Sequence, residues 1–315
     1  MRERTVGHSG LRIGEIGLGT LTWGRDTDET QAIGQLKTLL NEGGNLVDTS
    51  PAFGAGAAES LIGTLLSGAF SREDLVLCTK AGFTATGSRS RFGAGRGAIF
   101  DSVEASLERM KTTYIDVLFV AAPDPLAPDA ETAQALASLV ENGTARYIGL
   151  MGYPAWRAAA LQQLLAERHL PVLSAIETEY SLLARDCEEE IVPMAAHMGL
   201  GIFAASPLGR GVLTGKYRRT IPPTSRAASE HLAAFVDPYL LPGPRRIVEA
   251  VATAADGLGT SPSGIALSWL LGQPGISSAI TRARTAHQLR HVLDELIDLP
   301  DAIDAVLSEV TARAS

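Results

Sequence analysis

The chain is poor in cysteine, in clustered positive charge and in long apolar runs. Its 315 residues include two cysteines, Cys78 and Cys187. Neither belongs to a Cys-x-x-Cys pair or to a Cys/His ligand spacing, so the sequence offers no metal site, and without a disulfide framework the expected compartment is a reducing cytoplasm. Asp and Glu (35) outnumber Lys and Arg (27), the net charge is −8, and no basic stripe is present, which removes nucleic acid from the expected partners. No apolar run approaches the ~20 residues of a membrane span. Met1-Arg2-Glu3-Arg4 leads into polar sequence rather than the apolar core of a signal peptide. Aromatic residues are scarce, at 5%, and 32 glycines point to many short turns, which favours an α/β chain over an all-β one. No internal repeat or low-complexity segment is visible.

What is present is an alternation of short apolar runs with amphipathic stretches. Strands are expected at Ile16–Gly19, Asn45–Asp48, Leu75–Lys80, Ile115–Val120, Tyr147–Leu150, Ser174–Glu177, Gly201–Ala205 and Ser278–Ile280. Helices are expected at Asp28–Leu40, with Asp28 as N-cap, and at Ala57–Leu66, Asp101–Met110 and Asp129–Glu141. Eight strand–helix units without a break in composition predict one closed α/β domain over 1–315, a (β/α)₈ TIM barrel, rather than an open sheet. Arg4–Val6 and Leu11–Ile13 flank Gly7-His8-Ser9-Gly10 and predict a β-hairpin plugging the barrel bottom. Pro222–Pro244, rich in Pro, Ser and Ala, follows strand seven and is expected to lie over the C-terminal mouth, where barrel active sites sit.

The C-terminal strand ends carry Asp48, Lys80, Ala121, Met151, Gly152, Glu177, Ala205 and Ser206. Asp48 and Lys80 are charges closing apolar runs, and buried charges of these types need partners. An ion pair at the mouth satisfies both, whether it serves structure or chemistry.

At this point the sequence resembles the aldo-keto reductases over nearly its whole length. Gly17-Leu18-Gly19-Thr20-Leu21-Thr22-Trp23-Gly24, Leu46-Val47-Asp48-Thr49 with Phe53-Gly54-Ala55-Gly56 and Glu59, Leu77-Cys78-Thr79-Lys80, Glu179-Tyr180-Ser181-Leu182-Leu183 and the run Ser206 to Tyr217 carry the resemblance. It implies NADP(H)-dependent carbonyl reduction by an Asp, Tyr, Lys and His tetrad, in which the Tyr hydroxyl gives the proton. Asp48 and Lys80 match that tetrad. The Tyr position is Phe53 and the His position is Ala121, so neither can perform the family's proton transfer.

The departures continue at the nicotinamide end. Met151-Gly152 and Glu177 replace the carboxamide-binding Ser-Asn and Gln, and Ala205 replaces the stacking aromatic. At the phosphate end the resemblance places Ser206, Leu208, Gly211, Leu213 and Lys216 around the pyrophosphate, wrapped by the backbone amides and the cationic side chain of the Ser206–Lys216 run, and Arg284 and Gln288 at the 2′-phosphate and adenine. Arg282 stands at the phosphate-loop glycine, where it either adds charge for a phosphate or blocks the pocket, and Val292 stands at an adenine-binding Asn. NADP(H) binding is thus expected to be weakened at the nicotinamide end. Trp23, Phe53, Ala121, Met151 and Tyr153 are the expected lining of a small-molecule substrate pocket, with Tyr153 a substitute proton donor and His231 the one histidine in the mouth insertion. Three readings follow: a repurposed enzyme using Lys80, Asp48 and Glu177 for redox-neutral acid–base chemistry, an NADPH-dependent oxidoreductase with a non-standard proton donor, and a non-catalytic NADP(H)-responsive subunit. No feature of the sequence specifies an oligomeric state.

Overall fold

The eight apolar runs become eight parallel strands whose hydrogen bonds close a ring. The computed structural model describes residues 1–86, 89–223 and 225–312. In chain order its strands are β1 (Glu3–Thr5), β2 (Arg12–Gly14), β3 (Ile16–Gly19), β4 (Leu46–Asp48), β5 (Val76–Ala81), β6 (Phe83–Thr86), β7 (Arg89–Phe92), β8 (Ile115–Val120), β9 (Ala145–Met151), β10 (Ala175–Glu179), β11 (Gly201–Ala205) and β12 (Ile276–Thr281). The helices are α1 (Glu29–Asn41), α2 (Ala57–Leu66), α3 (Arg96–Met110), α4 (Asp129–Glu141), α5 (Ala155–Glu167), α6 (Ile191–Met198), α7 (Ala233–Val236), α8 (Pro242–Leu258), α9 (Pro262–Gly272), α10 (Ala286–Asp294) and α11 (Asp301–Thr311). Barrel strands β3, β4, β5 and β8 to β12 bond in that order, and β12 bonds back to β3. This is a (β/α)₈ barrel preceded by the antiparallel hairpin β1–β2.

Local chemistry explains most element limits. The Asp28 carboxylate accepts from the Gln31 amide and starts α1. Helix α3 begins at Arg96, five residues before the expected Asp101, because its cap is remote in sequence: the Arg96 amide donates to Glu131 of α4 at 2.7 Å. The antiparallel pair β6–β7, in the connection after β5, was not expected from the sequence. Its Phe83 and Phe92 rings meet at 5.3 Å.

Inward positions recur every second residue along each strand. Leu46, Cys78, Val117, Phe119, Ala175, Phe203 and Ile280 fill the barrel interior, and Val6 and Ile13 from the hairpin close it from below. The Phe119 and Phe203 rings meet edge-on at 5.4 Å. Gly149 is required there, since a Cβ would stand 2.5 Å from the Phe119 ring. One step of two residues above this apolar layer come Asp48 over Leu46, Lys80 over Cys78 and Glu177 over Ala175. The strand period therefore lifts three charges into one plane at the mouth.

The mouth insertion Pro222–Pro244, of which Thr224 lies outside the described residues, carries α7 and reaches across the opening. Arg226 donates to the carbonyl of Arg282 beyond β12 at 3.0 Å. His231 Nε2 lies 3.4 Å from Asp26 Oδ2 in the loop after β3.

Candidate active site

Lys80 is the centre of the charged plane. Its ammonium contacts Asp48 Oδ1, lies 2.9 Å from Glu177 Oε2 and stands 3.9 Å from Cys78 Sγ. Asp48, Lys80 and Glu177 are 0, 2 and 1% exposed, so this is a buried ion triad. Burial lowers the Lys80 pKa, Glu177 opposes that shift by attraction, and the Arg282 charge adds to it by repulsion. Burial, then the Glu177 charge, pushes the Cys78 thiol well up. The ammonium is thus a built-in cation among three groups whose ligand atoms lie within 4.8 Å of one another.

Around the triad the expected pocket residues divide. Phe53, Ala121 and Met151 are half-buried at the mouth, and Met151 is the register partner of Glu177. None of the three carries an exchangeable side-chain proton. Trp23 does not line the mouth: it is fully buried in the core, and its indole N–H donates to Gln35 of α1 at 2.9 Å. A large ring in a loop that folds back under α1 gains more from burial than from the opening. Tyr153 is also corrected. It is 3% exposed and its hydroxyl has no partner. Burial raises its pKa, and the charges it feels are Arg157, Asp129 and Asp124. It therefore belongs with α4 and α5, and it is a poor acid.

Beside the triad, under the loop after β11, lies a cavity of about 450 Å³, a size ordinary for ligand pockets. Ser206, Leu208, Gly211, Lys216, Arg282, Arg284 and Gln288 all line it. Leu213 does not: it is fully buried, and its amide donates to the Leu208 carbonyl at 3.1 Å. The amides of Gly209, Gly211, Val212 and Gly215 likewise bond carbonyls within the loop. The expected cradle of backbone amides is thus largely turned inward, and side chains face the cavity instead.

Those side chains are strongly one-signed. Arg210, Lys216, Arg226, Arg282 and Arg284 line the cavity, with no Asp or Glu among the lining residues. Arg210 is neutralised from behind by both oxygens of Glu179, at 2.9 and 2.6 Å. Burial, followed by repulsion from Arg282 and Arg284, lowers Arg226 to about 10. Ser225 Oγ, Arg226 Nε and Arg282 Nε are buried here without hydrogen-bond partners. Unpartnered buried donors in a cation-lined cavity are what an anion satisfies. Ser225 and Arg226 were missed in the sequence, where their segment carries no periodicity and reads only as a cover.

Arg282 borders both regions. A Cβ on Gly19 of β3 would stand 2.8 Å from its Cγ and 3.2 Å from its Nε, so its side chain lies across the end of that strand. Its guanidinium carbon is 5.6 Å from the Phe53 ring centroid. Burial lowers its pKa, against attraction from Glu177 and Glu179. Among the described residues no carboxylate reaches it at ion-pair distance.

The sequence pattern of the Aldo/keto reductase family matches residues 15–305. The chain belongs to the aldo/keto reductase family. Its relatives include a "Probable voltage-gated potassium channel subunit beta" of Arabidopsis thaliana, 30% identical over 98% of this chain and 95% of that protein. A protein of the same name in Oryza sativa subsp. japonica is 29% identical over 99% of this chain and 96% of its own length. The "Aldo-keto reductase YhdN" of Bacillus subtilis is 30% identical over 92% of this chain and 87% of that one. The family match spans the barrel from Glu15 into the first turn of α11. Among the described residues of this aldo/keto reductase family member, no helix is long and apolar enough to cross a membrane.

Proposed function

We propose that this member of the family is a nucleotide-responsive barrel: it binds the phosphate half of an NADP(H)-type nucleotide and does not reduce carbonyls. The observation that carries this reading is the cavity lined by Arg210, Lys216, Arg226, Arg282 and Arg284, with three unpartnered buried donors and no acid. In it Arg226, Ser225 and Arg282 would meet phosphate oxygens, and Arg284 and Gln288 the far end of the nucleotide. A bound NADP(H) would supply hydride. The residues at the nicotinamide end do not fit that part: Ala205 gives no ring platform, Met151 no carboxamide donor, and Arg282 crosses the approach over Gly19. Phe53 and Ala121 leave no group to deliver a proton to a carbonyl. Two of the relatives are named as potassium channel subunits, which accords with a role in binding rather than turnover. Occupancy would be transmitted through Ser225 and Arg226, because both belong to the insertion that spans the mouth.

Calorimetric titration of the purified chain with adenosine 2′,5′-bisphosphate tests this reading, with micromolar affinity expected. No binding at millimolar nucleotide would refute it. The pH dependence has a definite sign. Partial burial, with repulsion from Arg226 and Arg284, holds Lys216 down to about 8. A bound phosphate restores its charge, so affinity is full below about pH 8 and falls several-fold as pH rises through that value. Lys216→Arg is expected to remove the fall between about pH 7 and 9, since arginine stays charged throughout.

A second reading has its own observation. The Lys80 ammonium sits 2.9 Å from Glu177, and its hydrogen bonds run to Asp48 and Cys78 rather than to a hydroxyl or imidazole. Such a pair can give and take a proton without a redox step, as in an elimination, isomerisation or cyclisation. Hydrogen–deuterium exchange at an acidic carbon of a bound substrate, lost in Glu177→Gln, would move this reading ahead of the first.

A further inference from the structure

We infer that Arg282 divides what would be one dinucleotide cleft into two compartments, and that the outer compartment takes a bisphosphorylated adenosine mononucleotide rather than a dinucleotide. This rests on the nucleotide reading above and names its ligand more closely.

The cavity's own boundary is the first argument. Its lining runs from Ser206 and Leu208 through Arg226, Ile280 and Arg282 to Arg284 and Val292. Asp48, Lys80, Glu177, Phe53, Ala121 and Met151 are not part of it. The triad is 0–2% exposed. Arg282, a member of the cavity lining, is laid over Gly19, faces the Phe53 ring and feels the Glu177 charge of the triad.

The charge distribution is the second. Arg282 has no carboxylate at ion-pair distance among the described residues, and its Nε is buried without an acceptor. A desolvated cation of this kind is stabilised by an anion on its accessible side, which is the outer cavity. Arg226 Nε and Ser225 Oγ stand unpartnered in the same lining. These donors suit one phosphoryl group. Lys216 and Arg284, both in the lining, supply charge for a second. Pro262, Leu289 and Val292 give the apolar surface that a purine needs. At about 450 Å³ the cavity lies toward the small end of the roughly 300–1,000 Å³ range of ligand sites, which suits one nucleotide better than two.

A nicotinamide riboside attached to this ligand would have to pass Arg282, and on passing would meet Ala205 and Met151 rather than a platform. Held out by Arg282, it adds nothing to affinity in the wild type. Removing the partition opens the passage.

The test is calorimetry on the intact chain and on Arg282→Gly, each titrated with adenosine 2′,5′-bisphosphate and with NADP⁺. For the wild type, NADP⁺ is expected to bind no tighter than the bisphosphate. In Arg282→Gly both lose the contribution of one cation, but the ratio of the two affinities is expected to shift toward NADP⁺ by about tenfold, the equivalent of about 1.4 kcal/mol. Wild-type binding of NADP⁺ tenfold or more tighter than the bisphosphate, roughly the same 1.4 kcal/mol in the other direction, would overturn the partition while leaving nucleotide binding intact. An unchanged ratio in Arg282→Gly would overturn Arg282 as the divider. Failure of both nucleotides to bind the wild type would remove this inference together with the reading beneath it.

Discussion

Lys80→Met is expected to destabilise the folded chain by about 3–5 kcal/mol at neutral pH, the usual effect of removing one member of a buried ion pair. The Lys80 ammonium is the contact shared by Asp48 and Glu177, and both carboxylates are essentially inaccessible to water. Without it two buried negative charges face each other across the barrel, with Arg282 too distant to replace the pairing. Urea denaturation measures the loss. A companion variant in which Asp48→Asn and Glu177→Gln accompany Lys80→Met should regain most of it, because neutral amides do not need the ammonium. If Lys80→Met stays within about 1 kcal/mol of wild type, the triad is not the electrostatic unit the geometry implies. The burial of all three charges means that lost activity in this variant is interpretable only beside its stability.

The second large effect is a failure to restore. Phe53→Tyr combined with Ala121→His returns the two proton-handling side chains of the family tetrad, which as a general acid are worth roughly 10²–10⁴-fold. Turnover of a generic aromatic aldehyde with NADPH is nevertheless expected to remain at background. Positioning of the reacting groups contributes more than the acid itself, up to about 7–11 kcal/mol in well-oriented systems. On the proposed reading, Arg282, Ala205 and Met151 leave the nicotinamide without a seat. Following NADPH absorbance decides the matter: steady aldehyde-dependent consumption by the double variant would show that the seat exists and that only the acid was missing.

Much of this was legible in the sequence because it depends on period and on adjacency. The eight strands, the hairpin plug and the pairing of Asp48 with Lys80 follow from apolar alternation and from charges at strand ends. Glu177 could be placed beside Lys80 by the same reasoning. The sequence did not disclose which way individual side chains turn once the loops close. Trp23 was expected at the mouth, but its loop folds so that the indole reaches Gln35. Tyr153 lies one residue past Gly152, whose positive φ of 67° redirects the chain, and the ring ends against Arg157. The Ser206–Lys216 segment looked like an amide cradle, yet its tight turns consume those amides internally. Ser225 and Arg226 carry no local pattern at all, and only the tertiary fold brings them to Arg282.

The hairpin that seals the barrel from below has a consequence for how such a protein changes over time. Val6 and Ile13 anchor an apolar column whose buried members all lie below the charged plane, with Met151 of the mouth packed against it only from the half-buried edge. The column's cohesion is therefore indifferent to what the rim does, and the rim can lose one chemistry and acquire another without passing through an unfolded ancestor. A saturation-mutagenesis map of this chain should show that indifference as a horizontal frontier. Below Asp48, Lys80 and Glu177 substitutions would be judged by abundance, and above them by ligand, with those three residues alone answering to both.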